Sequence, residues 1–93
     1  MAYCVVYIGA TWCKPCKEIK PVIEQLTAQF QIPLEIKDYD TDLSEDEQAE
    51  IKKVPTVRVF QIGRIVMEWN MNQVASLKEW LTTHIAIGGT DDF

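Results

Sequence analysis

The sequence predicts a small α/β domain: a four-stranded mixed sheet with helices on both faces, in the order β-α-β-α-β-β-α. Three observations carry this expectation. Residues 3–8, Tyr-Cys-Val-Val-Tyr-Ile, form a continuous apolar run rich in β-branched and aromatic side chains. Such a run suits a central strand buried on both faces. Between Cys13 and Phe30, apolar residues recur at helical spacing, so a helix follows that strand. Thr56–Phe60 and Ile65–Trp69 flank Ile62-Gly63-Arg64, the pattern of a hairpin. A helical crossover makes the first two strands parallel and right-handed in connection, and the hairpin makes the last two antiparallel.

The elements follow in chain order. Gly9-Ala10-Thr11-Trp12 is a turn after the first strand, which is expected to be central because it is the most uniformly apolar. The first helix carries its apolar stripe at Ile19, Val22, Ile23, Leu26 and Phe30. Pro21 lies inside it, where it removes one hydrogen bond and favours a kink. Gln31-Ile32-Pro33 ends the helix, and Leu34–Tyr39 reads as the second strand, followed by a loop at Asp40–Leu43. Ser44 with Glu47 three residues later is a capping box, opening a short acidic helix that runs to about Lys52. Its charges, including Glu45, Asp46 and Glu50, belong on a solvated face. Val54-Pro55 breaks the pattern before the hairpin. Val74, Leu77, Leu81 and Ile85 mark a final amphipathic helix, and residues 86–93 read as a frayed tail.

Composition bounds the function. At 93 residues and 10.7 kDa, with 47% apolar and 25% charged residues, residues 1–93 make one ordinary globular domain. A chain of this length buries only about 60–65% of its unfolded surface, leaving no room for a separate catalytic domain. The net charge of −5 and pI near 4.7 argue against nucleic-acid binding, which needs clustered Lys and Arg. No apolar run approaches the roughly 20 residues of a membrane span. Met1-Ala2-Tyr3-Cys4-Val5-Val6 lacks a basic segment and a small-residue cleavage site, so a cytoplasmic location is expected. Three cysteines at uneven spacing do not form a disulfide framework, and Cys13 and Cys16 stand out as a local pair.

Trp12-Cys13-Lys14-Pro15-Cys16-Lys17 falls where a buried strand ends and a helix begins. A bare C-x-x-C could be half of a zinc site; this placement gives it a different chemistry. Cys13 stands at the unsatisfied N–H end of a helix, where negative charge is favoured, so its thiolate is stabilised. Lys14 and Lys17 add positive charge nearby. Cys13 is expected to be exposed, with Cys16 one turn further on and more buried. Two cysteines at i and i+3 suit dithiol–disulfide exchange, in which the second sulfur attacks a mixed disulfide made by the first.

Trp12-Cys13-Lys14-Pro15-Cys16, Pro21 in the same helix, Asp40 at a strand end, Val54-Pro55-Thr56 before the hairpin, and Gly63 within it together resemble the thioredoxin family. The resemblance covers residues 3 to about 85. It implies a minimal thioredoxin-like fold, a cis Pro55 packed against the cysteine pair, and a Val54 backbone that pairs with an extended substrate segment. It also implies a partner-facing surface of Trp12, Lys14, Pro15, Val54, Pro55 and Met71 around the catalytic Cys13 and Cys16.

Several positions depart from the family. The chain lacks the extra N-terminal strand and helix of thioredoxins and is nearer glutaredoxins in length. The family's buried acid falls at Tyr7 and its partner lysine at Ile36. Losing both together is coherent, because a lone buried charge is costly. A tryptophan of the active-site wall becomes Gly9, and a glycine of the substrate-facing loop becomes Asn70-Met71. Glutaredoxins usually hold a glutathione carboxylate with Gly-Gly-Asp before their last helix; here that place reads Trp69-Asn70-Met71-Asn72-Gln73.

The remaining candidates take plainer readings. Cys4 is separated from the turn by about 13 Å of strand, beyond disulfide reach of Cys13, and is expected as a small core residue. His84, Trp69 and Trp80 are expected to pack or face solvent. One C-x-x-C with remote Cys4 and His84 does not supply the four ligands of a structural zinc site. The expectation is therefore a monomeric protein-disulfide reductase or dithiol electron carrier with no cofactor. Its partners would be disulfide-containing proteins and a flavoprotein of the thioredoxin-reductase type. The alternatives are a glutaredoxin-like glutathione-dependent donor and a non-catalytic interaction module on the same fold.

Overall fold

A computed structural model of the chain describes residues 3–70, 73–74 and 76–84. Four strands and three helices follow the expected order: β1 Tyr3–Gly9, α1 Lys14–Gln29, β2 Leu34–Asp38, α2 Glu45–Glu50, β3 Thr56–Gln61, β4 Arg64–Asn70 and α3 Ser76–His84. The strands lie in the order β2-β1-β3-β4, so β1 is interior, as its uniform apolar character requires. Val5 stands opposite Leu34 of the parallel neighbour β2 and opposite Val59 of the antiparallel neighbour β3.

Alternation along β1 divides the core. Val5 and Tyr7 join Ile23, Leu26, Leu77 and Leu81 in one cluster, under α1 and α3. Val6 and Ile8 face the other way and pack with Ile51, Leu43 and Phe60. None of the six residues of α2, Glu-Asp-Glu-Gln-Ala-Glu, is buried. This helix covers the second face through the apolar residues on either side of it. Its start is fixed by the expected capping box, in which Ser44 Oγ accepts from the Glu47 amide and Glu47 Oε1 accepts from the Ser44 amide. That backbone hydrogen bond holds the Glu47 carboxyl below its ordinary range.

Helix α1 continues through Pro21 and ends in a Schellman motif. Gln31, at φ 57°, donates to Ala28 O, and Ile32 donates to Thr27 O at 2.8 Å. Its inner face is narrower than the apolar spacing suggests. Cys16, Ile23, Leu26 and Thr27 are buried, whereas Val22, expected on the stripe, is 43% exposed. Successive residues on a helix diverge by 100°, and here Ile23 takes the inward direction. Ile62 and Gly63 form the hairpin turn with φ of 54° and 75°, the positive pair that matches strand twist.

In α3, Leu77 and Leu81 are buried, with Val74 just before the helix. Trp80 meets Tyr3 and Trp69 edge-on and stacks on His84 at 4.2 Å, so the histidine and both tryptophans serve packing, as expected. Cys4, expected as core, is only half-buried and unbonded to another cysteine; it opens on a cleft of about 340 Å³ over the α2 face. Ile85, Met71 and residues 86–93 lie outside the described residues. No helix among the described residues is long and apolar enough to cross a membrane.

Candidate active site

The chain leaves β1 through Ala10-Thr11-Trp12, and the Cys13 amide closes the turn by donating to Ala10 O at 3.1 Å. Cys13 is the N-cap of α1, with extended backbone at φ −96° and ψ 111°. Its Sγ accepts the Cys16 amide at 3.2 Å. A sulfur thus occupies the place where Ser or Asp caps most helices, in reach of an otherwise unpartnered N–H group. No acidic side chain stands in the first turn of the helix. Lys14 and Pro15, its first two residues, are exposed. Cys13 and Cys16 are joined as a disulfide with Cα atoms 5.3 Å apart.

One expectation is corrected here. Cys13 is not exposed in this disulfide form: it is 5% accessible, against 3% for Cys16. The capping role turns its side chain inward, and Val54 O lies 3.8 Å from its Sγ. The Val54–Pro55 peptide is cis and Pro55 is fully buried, as the family pattern implied. The segment is pinned on both sides by Thr56. Its hydroxyl donates to Lys53 O at 2.5 Å and accepts from Asn70 Nδ2 at 2.7 Å. Trp12, directly before the pair, is 63% exposed, and its Nε1 donates to Asp40 Oδ2 at 2.8 Å. Met71 lies outside the described residues.

Tyr7 is the residue whose role sequence reasoning missed. Its hydroxyl donates to Cys16 O at 3.0 Å from the strand beneath the helix. Burial, and secondarily the charge of Glu24, push its pKa from 10.0 up to about 12, so it stays protonated at neutral pH. Ile36 stands directly opposite Tyr7 in the β1–β2 register. The two family positions that carry an acid and a lysine are therefore spatial neighbours, and both are uncharged here. Gly9 belongs to the same arrangement. A Cβ at this position would lie 2.6 Å from the Tyr7 hydroxyl, a distance no real contact tolerates. A cleft of about 490 Å³ opens beside Cys16, lined by Tyr7, Gly9, Lys17, Lys20 and Lys37 among others. The available signal was alternation: Tyr7 shares the α1-facing side of β1 with Val5.

The fold and the site define a class: a mixed-sheet α/β domain with a C-x-x-C disulfide at the head of the helix after its first strand. The family model described as Thioredoxin matches residues 2–83. A curated thioredoxin from Staphylococcus aureus is 41% identical over 64 residues, covering 67% of this chain and 62% of the relative. The matched stretch thus spans less than two thirds of that relative. Among solved structures, a Fasciola hepatica thioredoxin is 27% identical with a TM-score of 0.76, covering 89% of this chain and 81% of that one. An oxidised Plasmodium falciparum thioredoxin is 30% identical with a TM-score of 0.71, covering 90% and 82%. The chain belongs to the thioredoxin family.

Proposed function

We propose that the chain is a thiol–disulfide oxidoreductase that reduces disulfides in partner proteins through Cys13 and Cys16. The observation that carries this reading is the pair itself: a disulfide whose first sulfur caps a helix and accepts the Cys16 amide. In the reduced state the same contact favours the Cys13 thiolate. That thiolate attacks one sulfur of a partner disulfide. The partner S–S bond breaks, a Cys13–partner bond forms, and the other partner sulfur leaves as a thiolate. Cys16, deprotonated, then attacks Cys13 Sγ. The mixed disulfide breaks, the second partner sulfur leaves with its electron pair, and the Cys13–Cys16 bond is restored. Two electrons have passed to the partner, which takes up two protons from solvent.

Trp12, Lys14, Pro15 and the Val54-Pro55 backbone form the proposed contact surface, and Met71 is its expected sixth member. The Val54 carbonyl beside Cys13 supports pairing with an extended partner segment. Recycling is assigned to a flavoprotein of the thioredoxin-reductase type, acting on a monomer in the cytoplasm. Asn70-Met71-Asn72 replaces the Gly-Gly-Asp that would hold a glutathione carboxylate, which supports the flavoprotein over glutathione.

Insulin reduction with dithiothreitol, with a thioredoxin reductase system and with glutathione plus glutathione reductase tests the reading. Turnover with the flavoprotein is expected to saturate, and turnover with glutathione to be slow and unsaturable. Cys13→Ser is expected to abolish turnover, and Cys16→Ser to accumulate mixed disulfides. Trapping by Cys13→Ser alone would reverse the roles, and wild-type protein inert in all three systems would sink the assignment.

A further inference from the structure

We infer that Tyr7 is a positioning residue for Cys16, holding the resolving sulfur against Cys13 while the mixed disulfide is open, and that Gly9 exists to make room for it. The inference rests on the oxidoreductase reading above. In the closed disulfide the S–S bond itself fixes Cys16. In the mixed disulfide that bond is gone, because Cys13 is bonded to the partner instead. Apart from its place in the α1 backbone and its packing in the core, two hydrogen bonds then remain at Cys16: its amide toward Cys13 Sγ at 3.2 Å, and its carbonyl toward the Tyr7 hydroxyl at 3.0 Å. The first depends on a sulfur whose bonding has just changed. The second runs to β1, the central strand, and is unaffected by the exchange.

The strand end is shaped around this contact. Tyr7 is neutral and its register partner is Ile36, so these two residues bring no charge to the cleft beside Cys16, whose charged lining is Lys17, Lys20, Lys37, Asp38 and Asp42. Gly9 supplies the space: a Cβ there would meet the Tyr7 hydroxyl at 2.6 Å and its ring carbons at 2.9 Å. The missing side chain also opens the cleft that Cys16 and Tyr7 line together, which gives the Cys16 proton a route to water. The step balances simply. Cys16 gives its proton to water, its sulfur attacks Cys13 Sγ, the mixed S–S bond breaks, and the partner sulfur leaves as a thiolate. Tyr7 loses nothing in the process; it fixes the position from which the attack is made.

The test separates attack from resolution. Reduced protein carrying Cys4→Ser, which removes the third thiol, is mixed in stopped flow at pH 7 with one equivalent of 5,5′-dithiobis(2-nitrobenzoate). Cys13 attack releases the first thionitrobenzoate, and Cys16 closure releases the second. Tyr7→Phe keeps the ring and deletes the donor. It is expected to leave the first phase within about twofold and to slow the second roughly three- to tenfold, the range of one lost hydrogen bond. Gly9→Ala displaces Tyr7 without deleting its hydroxyl and is expected to slow the same phase. The double variant should lose less than the product of the two. Equal slowing of both phases in Tyr7→Phe, or no change in either, overturns the inference. If Gly9→Ala does not fold, the Tyr7→Phe phases decide alone. A wild-type reaction that stops after one equivalent instead sinks the oxidoreductase reading, and the inference with it.

Discussion

The buried tyrosine makes the stability of this domain depend on alkaline pH in a way that one substitution isolates. Tyr7 is nearly inaccessible and donates to Cys16 O, and its pKa is pushed from 10.0 up to about 12. The raised value means the fold favours the neutral form. Its stabilising contribution is fully present below pH 10 and is lost as the pH rises through 12. Each pH unit between those values removes about 1.4 kcal/mol, so the full loss is up to about 3 kcal/mol. The expected loss is therefore about 1–3 kcal/mol. Tyr7→Phe has no proton to lose. Below pH 9 it should be less stable than wild type by about 1 kcal/mol, the net value of a hydrogen bond. The difference should shrink above pH 10 and change sign near pH 11. Urea unfolding of the oxidised proteins by tryptophan fluorescence at pH 8, 9, 10, 11 and 11.5 measures it. Other groups titrate in both proteins and cancel in the comparison. A difference that stays constant to pH 11.5 would refute the burial argument.

Two further outcomes are expected. Leu77→Ala, at a fully buried position of α3, should lower unfolding free energy by about 2–5 kcal/mol in urea, by lost burial and the cavity left behind. Trp12→Phe removes the donor to Asp40 from an exposed ring. It should change stability by less than about 0.5 kcal/mol but slow insulin reduction up to roughly fivefold, because the phenyl ring offers a partner less contact area than the indole at the proposed contact surface.

Much of the fold was legible because it depends on local pattern. The apolar run of β1, the capping box at Ser44 and the alternation of the hairpin each reflect interactions within a few residues, and the structure places all three where expected. The strand ends differ by a residue or so: β1 runs on through Gly9, and β2 stops at Asp38. The site was legible in its residue types and only partly in its geometry. Cys13 at a helix head followed from the strand-to-helix transition. Its burial did not, because that depends on Val54, which is 41 residues away and is brought close only when β3 packs against β1. The Tyr7 contact was hidden for a similar reason. An apolar run of central-strand type identifies a buried tyrosine but not where its hydroxyl ends. That needs the height of α1 over the sheet. Val22 shows the same limit in the other direction: periodicity identifies a stripe, and only packing decides its width.

The contacts around the cysteines divide into a fixed side and an open side, and the division follows from burial. On the fixed side, Cys16 is held through both its amide and its carbonyl, and Val54 is held through Thr56 to the end of β4. These bonds are shielded from water, where a lost partner leaves a costly unsatisfied group. On the open side stand Trp12, Lys14 and Pro15, whose side chains make one hydrogen bond among the described residues, the exposed Trp12–Asp40 contact. An exposed hydrogen bond exchanges readily with water and contributes little rigidity. A partner segment that meets this face can therefore reorient Trp12 at small cost, whereas moving Cys16 would break its buried bond to Tyr7 of β1. Of the sequence changes that distinguish this chain, Tyr7 and Gly9 lie on the fixed side, while Ile36, opposite Tyr7 in the sheet, is exposed at the cleft. Tyr7 and Gly9 alter what holds the resolving sulfur and leave the Trp12-to-Cys16 face as the family has it. A change in partner preference would have to come from the open side, and a change in the rate of closure from the fixed one.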